Sequence, residues 1–258
     1  MSYKFDVELA TKECIKWIQN WFQSNGSDCK AVIGISGGKD SSVVAALCCE
    51  ALGKERIFGV LMPEGNQSDI EDAYQLCNHL GIQYITIDIA PAIRVLKHEI
   101  KPELGEHWSL QTSINLPPRI RMATLYAVSQ TINGRVIGTG NLSENYIGYF
   151  TRWGDGASDC EPIGALTVQE VKAVGHYLGL PNNLIEKTPA DGLCGKTDED
   201  NLGFTYEVLD KYLRTGVCEN GATLDQIQEL RMKNIFKMPK LPTFYPSPEA
   251  LNVRYELR

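Results

Sequence analysis

The amino-acid sequence predicts an α/β fold, a Rossmann-like parallel sheet with helices on both faces and a helical C-terminal part. Three observations support this. Short apolar, β-rich runs alternate with helical segments over the first 140 residues, a glycine-rich turn follows the first run, and strand signals fade in the last hundred residues. Such alternation is typical of βαβ units. We expect residues 1–258 to form a single domain.

The elements follow in order from an amphipathic N-terminal helix that contains Ile15, Trp17, Ile18 and Trp21. The predicted strands are residues 30–35, 56–62, 83–87 and 135–139. The predicted helices are residues 41–52, 69–80 and 119–132. Three more helices are expected to start near Thr167, Thr197 and Thr223, and the first and third of these have the capping-box spacing. Residues 189–196 are rich in turn formers, which predicts a mobile loop near the active face.

Composition restricts the class of protein and its partners. The net charge of -7 offers no footprint for a polyanion, so we expect no nucleic-acid partner. No apolar run reaches the ~18 residues that span a bilayer, so we expect no membrane partner. Eight cysteines at irregular spacing, without a Cys-x-x-Cys pair or a secretory signal, are typical of reduced thiols in a cytoplasmic protein.

A glycine-rich segment comes directly after the first predicted strand. Its residues are Gly34, Ile35, Ser36, Gly37, Gly38, Lys39, Asp40, Ser41 and Ser42. Adjacent glycines allow close approach of a ligand to the backbone, and the next helix directs its N–H groups and positive dipole end at the loop. The segment therefore predicts a phosphate site at the carboxyl end of a strand.

Counting residues excludes two familiar phosphate motifs. Gly34 and Gly38 enclose three residues rather than four, and Lys39 is followed by Asp40, so the segment is not a Walker A loop. The dinucleotide-binding Gly-x-Gly-x-x-Gly is also absent from this turn. A carboxylate among phosphates is repulsive unless a cation lies between them, so Asp40 predicts a metal such as Mg²⁺.

The motif Ser-Gly-Gly-x-Asp-Ser resembles the pyrophosphate loop of the ATP-pyrophosphatases, which cleave the α-β bond of ATP. Three further segments, at residues 115–122, 138–144 and 148–156, resemble the NAD synthetase family within that group, as does the stretch from Thr197 to Gly203. The resemblance covers about residues 30–240. It implies a ligase with ATP as co-substrate and Mg²⁺ as cofactor, which adenylates nicotinate adenine dinucleotide and amidates it with ammonia. It also implies a homodimer.

Site residues follow from the resemblance. Lys39 and Asp40 are the expected catalytic residues, and Asp40 and Glu144 the expected Mg²⁺ ligands. The ATP contacts are expected from the loop residues 34–41 and from Thr139. The dinucleotide contacts are expected from Arg119, Arg152, Asp159 and Lys237. Two of these have ordinary alternatives, since Arg119 can be a solvated helix-surface arginine and Glu144 a helix-start acid.

The sequence also departs from the family pattern. Val168 stands where a lysine is expected, Ala190 where a Thr or Ser is common, and Arg152 and Phe236 replace a common Lys and His. We expect Lys196 to supply the missing ATP-facing cation when its loop closes over the substrates.

The sequence also bears on the nitrogen source and on two alternative activities. Glutamine-using relatives carry an added amidase domain, so we expect free ammonia, or ammonia from a separate protein. A tRNA-thiolating pyrophosphatase shares the loop, but the acidic charge and the missing Cys-x-x-Cys pairs count against it. A module that senses ATP without turnover is allowed by Val168 and Ala190, whereas Asp40 and Glu144 favour catalysis.

Overall fold

The computed structural model describes residues 4–67, 70–187, 197–238 and 243–251. It contains a parallel sheet of four strands in the order β3-β2-β1-β4. The strands are β1 (Lys30–Gly34), β2 (Ile57–Leu61), β3 (Gln83–Thr86) and β4 (Gly134–Ile137). Central strand β1 pairs with β2 on one side and β4 on the other, so the carboxyl ends of β1 and β4 lie side by side. The predicted parallel sheet is confirmed.

Helices surround the sheet and continue beyond it. In the first half of the chain they are α1 (Val7–Asn25), α2 (Lys39–Leu52), α3 (Ile70–Leu80), α4 (Ala90–Glu103) and α5 (Leu110–Thr131). After β4 they are α6 (Leu142–Ile147), α7 (Val168–Tyr177), α8 (Asn182–Ile185), α9 (Asp198–Leu202), α10 (Tyr206–Thr215), α11 (Gly221–Asn234) and α12 (Pro248–Leu251). No helix in these described ranges is both long and apolar enough to cross a membrane.

Alternation along the strands divides the core between the two faces of the sheet. Ala31 and Ile33 of β1 belong to a large apolar cluster that includes buried residues of α1, α2 and α7. Val32, between them in the strand, belongs to a second cluster that α5 covers through Leu125 and Val128. Successive strand side chains point to opposite faces, so this division follows from the period of two. Helices therefore cover both faces, as predicted.

Two helices of the first half differ from prediction. No helix is predicted over 90–103, yet α4 occupies those residues. Helix α5 begins at Leu110, not at Arg119, and runs through Pro117 and Pro118. The prolines lack two N–H donors and normally mark a helix start. Here Ser109 caps the helix by accepting from the Thr112 N–H at 3.0 Å, so the start lies nine residues earlier.

The C-terminal part is helical, as predicted, but one cap is elsewhere. Thr167 and Thr197 are N-caps with both capping-box hydrogen bonds present. The helix predicted near Thr223 is present as α11, but Thr223 is not its cap, because α11 begins at Gly221 and is capped by Asn220. The Asn220 Oδ1 atom accepts from the N–H groups of Ala222 and Thr223 at 3.0 and 3.3 Å. Thr223 therefore lies inside the first turn rather than ahead of it.

Candidate active site

The turn from β1 to α2 requires glycine at its centre. Gly37 has φ 76°, a left-handed conformation. A Cβ atom there would lie 2.7 Å from the Ala73 amide nitrogen and from the Asp72 Cβ of α3. Any side chain at this position would be strained and would also push α3 away. The turn is therefore fixed against α3 by backbone contact.

Serine hydroxyls line the same turn. The Ser36 and Ser41 oxygens lie 3.1 Å apart, and the Gly38 N–H donates to Ser36 Oγ at 3.2 Å. Gly38 is the N-cap of α2 and provides no side-chain cap, so first-turn N–H groups of α2 remain available to a ligand. Free N–H groups at a helix start, with hydroxyls beside them, are suited to bind phosphate oxygens.

Charged side chains meet where the loop faces α6. The Lys39 Nζ atom lies 2.8 Å from Asp40 Oδ2, and Asn141 Nδ2 donates to Asp40 Oδ1 at 3.0 Å. Asn141 is also the N-cap of α6, where it accepts from the Glu144 N–H at 3.0 Å. One amide side chain therefore joins the two predicted metal ligands, Asp40 after β1 and Glu144 after β4.

The charged groups of this cluster shift one another's pKa values. Lys39 is only 3% exposed. Burial by itself lowers the pKa of Lys39, but the charges of Asp40 and Glu144 outweigh burial and hold that pKa above its usual value. Burial, and then the charge of Asp40, raise the pKa of Glu144. Lys39 therefore stays cationic and neutralises part of an acidic pair.

The donor set fits a magnesium ion that is bound partly by its substrate. No group of three or more potential metal ligands occurs within residues 4–67, 70–187, 197–238 and 243–251. Mg²⁺ is usually held by one or two carboxylates together with substrate phosphates rather than by a complete protein cage. Asp40 and Glu144, next to the predicted phosphate-binding turn, match that pattern.

A buried polar network fixes the helix that carries Glu144. Ser143 Oγ donates to Asp210 Oδ1 at 2.6 Å and accepts from the Val168 N–H at 3.2 Å. The other Asp210 oxygen accepts from the Gln169 N–H at 2.9 Å. Asp210 thus joins the starts of α6 and α7 to α10. The C-terminal helices position one side of the site.

Three of the four predicted dinucleotide contacts lie around residues 148–156. Arg119 Nε donates to the Arg152 carbonyl at 3.4 Å, and Lys237 Nζ donates to the carbonyls of Gly148 and Phe150 at 3.0 and 3.3 Å. Burial lowers the pKa of Lys237. The Arg152 guanidinium lies 5.0 Å from the ring centroid of Trp153, and its Nε is buried with no hydrogen-bond partner in the described part of the chain.

Asp159, the fourth predicted contact, is engaged within the fold. Its Oδ1 accepts from the Tyr126 hydroxyl at 3.2 Å, and its Oδ2 accepts from the Val136 N–H of β4 at 2.8 Å. Thr139 lies on the turn after β4, at the same sheet edge as the phosphate loop. Through its two hydrogen bonds, Asp159 also anchors the segment that follows this turn.

Two residues of the predicted closing loop, Ala190 and Lys196, lie outside the described residues. Val168, where a lysine was expected, is buried in an apolar cluster with Leu202 and Tyr206. No cation lies at this position of α7. The structure therefore leaves the role of Lys196 untested.

Three further residues of the cluster are absent from the sequence prediction of the site. Asn141 joins Asp40 to Glu144, and its spacing from Glu144 is a capping-box signal that could have identified it. Asp198 and Tyr206 face the same cluster. The charge of Asp198 helps to raise the pKa of Lys39, and the Lys39 Nζ atom lies over the ring of Tyr206. Only folding of the C-terminal helices onto α6 brings these two residues there.

Comparison with known proteins assigns the chain to a family. The NAD synthase family model matches residues 10–242. The chain belongs to the NAD synthase family. An NH(3)-dependent NAD(+) synthetase from Carboxydothermus hydrogenoformans is 40% identical over 91% of this chain and 97% of its own length. One from Methanosarcina acetivorans is 43% identical over 86% of each chain.

Solved structures of the NAD synthase family share the fold. The structure of an NMN synthetase from Francisella tularensis superposes with a TM-score of 0.82 at 33% identity, over 92% of this chain and 97% of that one. The family resemblance in the loop and in residues 115–162 is therefore confirmed. The roles of individual site residues remain predictions.

Proposed function

We propose that the protein is an ammonia-dependent NAD synthetase, a ligase that forms NAD from nicotinate adenine dinucleotide, ATP and ammonia. The observation that carries the proposal is the joining of Lys39, Asp40 and Glu144 beside a phosphate-binding turn. Relatives that are 40% and 43% identical over most of both chains are named NH(3)-dependent NAD(+) synthetases.

The reaction has two steps in this proposal. The pyridine carboxylate attacks the α-phosphorus of ATP, the α-β phosphoanhydride bond breaks, and pyrophosphate leaves. Ammonia then attacks the acyl carbon, AMP leaves with the former carboxylate oxygen, and the nitrogen loses a proton. The loop residues 34–41 and Thr139 hold ATP, and Lys39 keeps a positive charge beside the phosphates. Catalysis of this kind depends on positioning and charge neutralisation.

Magnesium is the proposed metal, with Asp40 and Glu144 as its protein ligands. When bound, it would neutralise charge that builds up on the departing pyrophosphate. Lys39 and Asn141 orient Asp40, and the Ser143–Asp210 bond fixes α6 beneath Glu144. We propose that Lys196 adds a cation on loop closure.

The substrate contacts proposed are Arg119, Arg152, Asp159 and Lys237. The buried Arg152 Nε without a partner supports this assignment, since a buried donor left unpaired in the free protein is suited to bind an anionic ligand. Arg119 and Lys237 already hold backbone carbonyls of the same segment, so they position Arg152 as well as adding positive charge.

A mononucleotide substrate is the second candidate. The NMN synthetase from Francisella tularensis has the same fold at 33% identity, and its name is that of an enzyme that makes a mononucleotide. The chemistry at the carboxylate is the same for both substrates. Their difference lies in the adenylate half, which only the dinucleotide carries.

We propose that the single NAD synthase domain works as a cytoplasmic homodimer. Apolar side chains on α4, on α5 and between them support a contact with a second copy. Val95, Leu104 and Leu110 are 60%, 60% and 76% exposed, and α4 buries none of its residues. Exposed apolar patches of this kind usually mark interaction surfaces.

A direct assay tests the activity. The protein is incubated with ATP, Mg²⁺, ammonium and either nicotinate adenine dinucleotide or nicotinate mononucleotide, and pyrophosphate and amide product are measured. We expect pyrophosphate release that depends on the dinucleotide, with NAD in equal amount. A higher kcat/KM with the mononucleotide selects the second candidate. Pyrophosphate release that needs neither substrate contradicts both. Glutamine in place of ammonium is the control for nitrogen source.

A further inference from the structure

The hydroxyl of Tyr206 is a buried polar group without a partner. Tyr206 is 2% exposed, and its hydroxyl makes no hydrogen bond to any of the residues that the structure describes. More than nine in ten buried polar groups in folded proteins are hydrogen-bonded, and leaving one unpaired costs about 1–3 kcal/mol. The Tyr206 hydroxyl is one of three buried side-chain atoms without a partner in the described residues, and its place next to Lys39 makes it a candidate for ligand binding.

The ring of Tyr206 is held firmly. It packs in an apolar cluster with Val168 and Leu202, and the Tyr206 N–H donates to Glu199 Oε1 at 2.8 Å at the start of α10. The Lys39 Nζ atom lies 6.0 Å from the ring centroid. The hydroxyl therefore cannot escape to solvent without breaking this packing, and its position beside the phosphate loop is fixed.

Negative charges of the site act on the Tyr206 phenol. Burial, followed by the negative charges of Glu144, Asp198 and Asp40, raises the pKa of Tyr206. The phenol therefore keeps its proton and can act as a hydrogen-bond donor. None of the three carboxylates accepts this proton in the free protein. An anionic ligand that enters the cluster would supply the acceptor.

We propose that Tyr206 is a ligand-binding residue whose hydroxyl donates a hydrogen bond to an anionic oxygen of the ATP polyphosphate bound with its metal beside Asp40 and Glu144. The proposal rests on the proposed function. It adds a donor from α10 to a site that is otherwise built from β1, β4, α2 and α6. It also explains why an unpaired hydroxyl is retained, because binding removes the penalty.

Tyr206→Phe tests the proposal, since phenylalanine keeps the ring and removes only the hydroxyl. In the free protein we expect the variant to melt about 2–4 °C higher than wild type, because an unpaired buried group is gone. With inorganic pyrophosphate and Mg²⁺ as the probe, we expect about a tenfold weaker Kd by calorimetry, as for loss of a bond to a charged group. Tyr177→Phe, at a 45% exposed tyrosine of α7, is the matched control and should change neither value.

Each contrary result has its own meaning. A lower melting temperature for the free variant shows a structural partner for the hydroxyl and overturns the proposal. An unchanged pyrophosphate Kd in Tyr206→Phe overturns it as well. If Mg²⁺ alone binds tenfold more weakly, the hydroxyl serves the metal's own shell and the phosphate assignment is wrong. If wild type binds no magnesium pyrophosphate while the direct assay shows turnover, this inference fails and the proposed function stands.

Discussion

Asp40 is held in the site by both of its neighbours in the charged cluster. Its two carboxylate oxygens are each taken by a different neighbour, Lys39 Nζ at 2.8 Å and Asn141 Nδ2 at 3.0 Å. These bonds fix the carboxylate next to the N-terminus of α2. A carboxylate held in this way can meet a metal and a phosphate with little rearrangement.

Asp40→Asn is expected to abolish adenylation and leave the fold intact. The amide keeps the shape of the side chain but removes the charge that binds metal, so pyrophosphate release should fall at least ~100-fold. Asp225→Asn, at an exposed aspartate of α11, should retain full activity. Both variants are compared by pyrophosphate release and by circular dichroism. Full activity in Asp40→Asn would refute its role.

Glu161 gives a prediction about pH. It is 5% exposed, and burial raises the pKa of this carboxyl to about 7. The folded state therefore favours the protonated form, whose stabilising contribution is complete below about pH 4.5 and is lost as pH rises through about 7. Glu161→Gln keeps an uncharged side chain at every pH. The variant should thus gain about 3 kcal/mol over wild type at pH 8 and nothing at pH 4.5.

Urea unfolding at the two pH values measures this gain. Glu229→Gln, at an exposed glutamate of α11, is the control and should follow wild type at both. An equal stability difference between Glu161→Gln and wild type at pH 4.5 and pH 8 would show that Glu161 does not titrate in this range.

At the scale of elements, the N-caps of the helices can be compared directly. Asn220 bonds two N–H groups at the start of α11, whereas Thr223 caps nothing. Asn220→Ala should therefore lower the free energy of unfolding by about 1 kcal/mol, and Thr223→Ala by much less. Urea denaturation of the pair decides between the two positions. A larger loss for Thr223→Ala would contradict the cap seen in the structure.

Local patterns predicted the elements whose ends carry their own signals. Strands β1 to β4 and helices α2 and α3 follow apolar runs bounded by glycine, and their ends agree within two residues for the described positions. The predicted start of helix α5 is wrong because Pro117 and Pro118 have the pattern of a helix start. In the structure Gly154 packs against Pro118, leaving no room for a Cβ, and Asn115 accepts from Thr151 at 2.8 Å. Tertiary contacts hold the helix through the prolines.

The site residues also divide into those that local sequence predicts and those that it does not. The phosphate loop is contiguous in sequence, so its residues could be found by spacing alone. Glu144 could be assigned to the site because it follows β4, which pairs with β1 in the sheet. Tyr206 and Asp198 reach the cluster only when the C-terminal helices fold onto α6, and no local pattern encodes that contact. Residues brought together by long-range packing are the ones that sequence analysis missed.

At the scale of the whole molecule, the exposed apolar side chains on α4, at the start of α5 and between them include Val95, Leu104 and Leu110 within the described residues. If a second copy covers them, Val95→Lys with Leu104→Lys should convert the dimer to a monomer, because two buried charges would be left unpaired. Val217→Lys introduces one such charge at a 50% exposed position after α10 and should not change the mass of the assembly. Sedimentation velocity measures the result. A monomeric wild type, or a double variant that stays dimeric, would contradict this interface.

The central claim is that the carboxylate is activated as an acyl adenylate. Isotope transfer tests this most directly, with nicotinate adenine dinucleotide that carries ¹⁸O in both carboxylate oxygens. Acyl adenylation predicts one ¹⁸O in the phosphate of AMP and one in the carboxamide of NAD, measured by mass spectrometry after turnover with ammonium. AMP without ¹⁸O, or ADP as the nucleotide product, would contradict it.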